Sequence, residues 1–143
     1  MDQHYLFLSS SDSSELFPSN SPSDFTVQLA GTLDLQGTWY ASLKEVRITN
    51  KVEEEEEEAP RELLICSDLS EDVFYGGTKL GILRRIHRSN RSPVLVKIFV
   101  ESFYFKVTRP QLNKIRILIR GESNQPIDIR GRTSCTLHLK RLA

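Results

Sequence analysis

The stretch GTWYASLKEVRITN, residues 37–50, reads as one long strand with a slip in the middle. Trp39, Ala41 and Leu43 share one phase of a two-residue repeat, and Val46 and Ile48 fall on the other. A helix would space its apolar residues three and four apart; here they stand two apart, the period of a pleated strand. A one-residue slip in that period is what a β-bulge produces, by setting two residues of one strand against one of its partner.

The same period recurs outward in both directions. HYLFLSS (4–10) is a short strand, and DFTVQLA (24–30) alternates with Phe25, Val27 and Leu29 on one face. Between them, the Ser-, Asp- and Pro-rich residues 10–24 read as a long loop. ELLICSDL (62–69) is almost continuously apolar, as suits a central strand, and SEDVFYGG (70–77) is a turn-rich connector. KLGILRRIHR (79–88) is a fifth strand. SPVLVKIFVESFYFKVT (92–108) changes phase near Glu101–Ser102, so it is one bulged strand or two with a bend. KIRILIRG (114–121) and TSCTLHLKRL (133–142) alternate cleanly. No helical period of any length competes. Half-polar alternation points to antiparallel pairing, because parallel strands need crossover helices that are absent here. The expectation is one all-β domain over 1–143, an eight-stranded antiparallel sandwich of the single jelly-roll kind. An up-and-down barrel is the rival, and the uneven loop lengths fit it less well.

A chain of 143 residues buries an adequate core without metals or disulfides. The opening residues are acidic and their apolar run is short, so no secretory signal is read. No apolar stretch approaches the ~18 residues of a membrane helix. Cys66 and Cys135 each sit inside a strand and read as reduced, buried thiols. Net charge is zero but polarised: residues 1–78 carry 4 basic and 16 acidic side chains, a net −12, whereas 79–120 carry 11 against 1, a net +10. Opposite-sign surfaces are therefore expected to meet, within one fold or between copies.

Catalytic signals are missing. His4, His87 and His138 are far apart and read as surface or edge imidazoles, without metal-ligand spacing. No nucleophile elbow and no phosphate-cradling glycine loop is present, and no cofactor is expected. Two charged segments remain. Glu53, Glu54, Glu55, Glu56, Glu57 and Glu58 form an unbroken run inside the acidic loop 50–61. Consecutive carboxylates offer a cation no fixed geometry, so the run reads as a solvated loop or as a docking segment for a basic surface. Arg84, Arg85, Arg88 and Arg91 lie within eight residues. They form a strand end and solvated loop, a subunit contact, or a weak nucleic-acid contact through phosphates; interleaved aromatics for base stacking are lacking.

Three stretches in order carry a family resemblance. Pro18, Asn20, Phe25, Leu35, Gly37, Trp39, Leu43, Glu45 and Val46 mark the first, LLICSDLSEDVFYGGTKLGILRRI (63–86) the second, and CTLHLKRL (135–142) the third. Together they resemble the pentons, or minor capsid proteins, of Polinton (Maverick) elements and adintovirus-like DNA viruses. The glutamate run between the first two stretches departs from that pattern. The resemblance implies a single jelly roll and a homopentamer at the five-fold vertices of an icosahedral shell. The partner would be a double-jelly-roll major capsid protein, and the location the virion, assembled inside the host cell. It implies no reaction. A jelly-roll module that binds glycan or nucleic acid is the alternative, with Trp39, Tyr40 or Tyr75 as stacking platforms.

As a charged loop, residues 53–58 should be dispensable for folding. Deleting Glu53–Glu58 is expected to leave the circular dichroism spectrum and cooperative thermal transition intact, and an unfolded product would refute the loop assignment.

Overall fold

The computed structural model describes residues 2–50, 62–88 and 94–142. They form β1 (Gln3–Ser9), β2 (Asp24–Asp34), β3 (Trp39–Asn50), β4 (Glu62–Ser67), β5 (Val73–Tyr75), β6 (Thr78–Leu80), β7 (Ile82–His87), β8 (Val94–Ile98), β9 (Phe105–Lys106), β10 (Gln111–Gly121) and β11 (Gly131–Arg141). No helix occurs among the described residues. One sheet has the order β1-β11-β3-β8, with β9 also paired to β3, and the second has the order β2-β10-β4-β7. Every pairing is antiparallel.

The inner faces of the two sheets share a single core. Leu8, Ala41, Leu43, Val46, Leu137 and Leu139 come from the first sheet, and Phe25, Leu63, Ile65, Leu83, Ile115, Ile117 and Ile119 from the second. Burying a side chain of this size contributes about 1.5–3 kcal/mol over leaving it in water. Trp39, 5% exposed, belongs to this core and donates its indole N–H to the carbonyl of Gln36 at 2.9 Å. A buried indole needs such a partner.

The slip in residues 37–50 is a bulge at Lys44. Glu45 pairs with Thr136 and Leu43 with Leu137, so Lys44 is the residue left without a counterpart. Both halves of β3 therefore face the core, and Trp39, Ala41, Leu43, Val46 and Ile48 are all buried.

Among the described residues, eleven strand segments stand where eight were read from sequence, for three local reasons. The connector SEDVFYGG contributes a strand: β5 and β6 form a small hairpin around Gly76–Gly77, with Val73 opposite Leu80 and Tyr75 opposite Thr78. Gly76 takes φ +57, a conformation glycine adopts without a Cβ penalty. The fifth strand divides at Gly81, where a Cβ would lie 2.4 Å from the carbonyl oxygen of Ser67. The long strand of 92–108 becomes β8 and β9 with a bend between them. At that bend the Phe99 N–H donates to the carbonyl of the bulge residue Lys44, at 3.0 Å.

Register also fixes which connections share an end of the molecule. Gly131 pairs with Asn50, Thr49 with Val94, Glu62 with His87, Leu63 with Gly121 and Ser9 with Ser134. The strand ends flanking 10–23, 51–61, 88–93 and 122–130 thus gather at one end.

Removing the bulge residue tests its role. Deletion of Lys44 shifts one half of β3 by one position and turns its apolar residues to the wrong face, so cooperative urea unfolding is expected to disappear. Lys44→Ala keeps the residue count and should retain the transition. A deletion variant that unfolds at the wild-type midpoint would show that the bulge is dispensable.

Candidate assembly surface

The outer face of the first sheet is unlike an ordinary solvated face. Its middle is polar. Thr136 and Ser134 of β11 stand beside Glu45 and Arg47 of β3, with Arg132 nearby. These residues line an open depression of about 600 Å³. Its two edges are apolar. On β1, Tyr5 and Phe7 point outward, Phe7 being 76% exposed. On β8 and the bend after it, Val94, Val96, Ile98, Val100 and Phe103 are exposed, with Ile98 at 71% and Val100 at 98%. The sequence placed Val94, Val96, Ile98 and Val100 on one phase, and the fold turns that phase away from the core. Leu95 and Phe99, on the opposite phase, pack inward. Large exposed apolar patches mark interaction surfaces more often than scattered single residues do.

A polar cluster adjoins the β1 edge. His138 is buried, which corrects its reading as a surface imidazole. Tyr5 stacks on its ring at 4.5 Å between centroids. Its Nε2 lies 2.9 Å from Gln3 Oε1, and its Nδ1 lies 2.8 Å from the Tyr104 hydroxyl. The amide oxygen only accepts, so Nε2 carries the proton and Nδ1 accepts from Tyr104. Burial lowers the pKa of His138, and the ammoniums of Lys44 and Lys140 lower it further. Those two ammoniums also lie over the Tyr104 ring, at 5.4 and 3.9 Å. Burial alone would raise the Tyr104 pKa, but Lys44 and the charge of Lys140 bring it below the ordinary tyrosine value. Ser42 Oγ is buried and has no hydrogen-bond partner among the described residues. Lys44 also donates to Ser102 Oγ. His4 stacks on Trp39, and His87 is exposed at the end of β7.

The two charged segments are placed only in part. Glu53–Glu58 and Arg91 lie outside the described residues. Arg84 lies against the rings of Phe99 and Phe103, at 4.2 and 3.9 Å, and donates to the carbonyl of Glu101 at 2.8 Å. Arg85 pairs with Glu62 across β7 and β4 at 3.7 Å, and Arg88 is half-buried just beyond β7. Arg84 and Arg85 each have a partner within the protein, Arg84 at the bend after β8 and Arg85 on the neighbouring strand β4.

Among the described residues, three ion pairs join the acidic and basic parts of the chain within one copy. Arg116 holds Asp24 in a two-pronged contact at 2.8 and 2.7 Å, Arg109 meets Asp68 at 3.3 Å, and Arg85 meets Glu62. Each pair is partly exposed, so each contributes about 0–1 kcal/mol. Both cysteines are free and buried. Burial pushes the Cys66 thiol up to about 11, against a lowering influence from Arg120, and the Cys135 thiol up to about 12. Neither is a poised nucleophile. Among the described residues, no three His, Cys, Asp or Glu side chains group as metal ligands, and no helix is long and apolar enough to cross a membrane.

No family model matches the sequence, and no curated protein matches it.

The buried histidine makes stability depend on pH with a definite sign. Its folded pKa is depressed, so the unfolded chain takes up the proton first. The contribution is complete above the ordinary histidine value of about 6.5 and is lost as pH falls from there through the lower folded value. Urea midpoints of the wild type should fall between pH 7.5 and pH 5 by more than those of His138→Gln. Parallel declines in the two proteins would remove His138 as the source.

Proposed function

We propose that this chain is a structural shell subunit, a penton-type minor capsid protein built as an eight-stranded single jelly roll. One observation carries the reading: the strand order. Numbering the eight principal strands β1, β2, β3, β4, β7, β8, β10 and β11 consecutively, the first sheet runs one-eight-three-six and the second two-seven-four-five. Two Greek keys wound over a pair of four-stranded sheets generate that order, and it is the pattern of jelly-roll capsid domains. Fold alone does not define function. The apolar edges of the first sheet add support from the surface, since a subunit that works by association needs apolar area to bury. The resemblance of the three sequence stretches to pentons points the same way, toward a homopentamer beside a double-jelly-roll major capsid protein in a virion.

The alternative, a module that stacks glycan or bases on aromatic side chains, has less to stand on. Trp39 is in the core, Tyr40 is half-buried, and the Tyr75 hydroxyl donates to the carbonyl of Glu122.

Light scattering after size exclusion, at low and high salt, tests the reading. A closed ring of five is expected, persisting at high salt because apolar burial supplies most of the affinity. A monomer at high protein concentration, both alone and with a double-jelly-roll shell protein present, would overturn it.

A further inference from the structure

We infer that the ring contact is heterologous: the β1 edge of one copy, through Tyr5 and Phe7, packs on the β8 edge and following bend of the next, through Val96, Ile98, Val100 and Phe103. This rests on the shell-subunit reading and specifies which surfaces would join. The two patches sit on opposite edges of one sheet, with a polar middle between them. A two-fold dimer requires a single patch that complements itself. A closed ring requires two different patches on opposite flanks. The patches differ in kind, one aromatic and the other mainly aliphatic. A ring that joins them buries both in every subunit, whereas pairing like with like leaves the second patch in water.

Area supports a second copy as the occupant. From their exposures, these residues with Val94 leave on the order of 800 Å² of surface in water, about half of a standard interface of ~1,600 Å². Contact through side chains is favoured over extension of the sheet. Lys97 occupies an inward phase of the edge strand β8, opposite the buried Val46, and an inward charge on an edge strand discourages strand addition. Arg84, clasped against Phe99 and Phe103, holds the bend that presents Val100.

The test uses the full chain with one flank altered at a time. Phe7→Glu spoils the β1 edge, and Ile98→Glu the β8 edge. Both positions are exposed, so each variant should fold, as its circular dichroism spectrum and urea midpoint will show. Each alone is expected to be a monomer. Mixed, the two variants still possess one intact flank apiece and should form a one-to-one dimer and nothing larger. As an independent readout, Phe7→Cys and Ile98→Cys variants should cross-link to each other on oxidation in preference to themselves, the native thiols being buried. If the wild type forms rings and both Glu variants do too, this interface is wrong while the shell-subunit reading survives. The interface is equally wrong if the wild type forms rings but the mixture stays monomeric and the cysteines fail to cross-link. A wild type that never assembles removes both.

Discussion

One extra residue in the ladder between β3 and β11 governs much of this structure. Lys44 faces no residue of β11, and the alternation of β3 resumes one position later. Without that step, a strand of twelve residues with Trp39, Ala41 and Leu43 on one phase and Val46 and Ile48 on the other would expose one of its halves. With it, both halves reach the core. The carbonyl of the same residue receives the Phe99 N–H just beyond the end of β8, where the edge chain turns away. Its side chain is sent outward to Ser102 and Tyr104. The register of the core strand, the bend of the edge strand and the polar cluster at His138 therefore meet at one residue.

The inward half of the fold was legible because burial in a sandwich follows the strand period. Residues 114–121 show this well: Ile115, Ile117 and Ile119 are all inside, as alternation alone required. The slip at 43–46 was legible for the same reason. What alternation does not reveal is orientation where both phases are apolar. Leu95 and Phe99 go in while Val96, Ile98 and Val100 go out, and only the position of β8 at the edge of its sheet decides between them. The hairpin of β5 and β6 was hidden by brevity, since three residues cannot display a period. The His138 cluster was hidden because its members, Gln3, Tyr104 and His138, come from distant parts of the chain. His138 does occupy the outward phase that alternation gives it; it is buried because Tyr5 and Tyr104 cover it.

The surface reverses a common arrangement. In a typical interface, apolar residues occupy the middle and polar residues form the rim. On the outer face of the first sheet, the middle is polar and the edges are apolar. A partner laid flat on this face would have to desolvate Glu45, Arg47 and Arg132, which is costly for charges that gain no matching partner. A partner approaching either edge would meet apolar side chains first. The face is thus better suited to side-by-side neighbours than to a stacked one. The ion pairs bear on the same point. Asp24–Arg116, Asp68–Arg109 and Glu62–Arg85 each neutralise opposite charges inside one copy, so part of the polarity of the sequence is lost to neighbours.

The strands that flank the glutamate run are described, although the run itself is not. It lies on the connection from β3 to β4, and the arginine-bearing connection runs from β7 to β8. Thr49 pairs with Val94 and Glu62 with His87, so the two connections depart from adjacent strands in both sheets. Paired strands stand about 4.8 Å apart, well inside the ~8 Å over which physiological salt screens charge. Arg84 and Arg85 are engaged elsewhere, which leaves Arg88 and Arg91 as the arginines of that segment nearest this end in sequence. In sequence, residues 51–61 carry six glutamates against Lys51 and Arg61, a net −4, and residues 88–93 carry Arg88 and Arg91, a net +2. The two connecting segments together therefore carry a net negative charge. Copies ringed with these ends together would repel one another there, and the apolar edges of the first sheet would have to outweigh that repulsion.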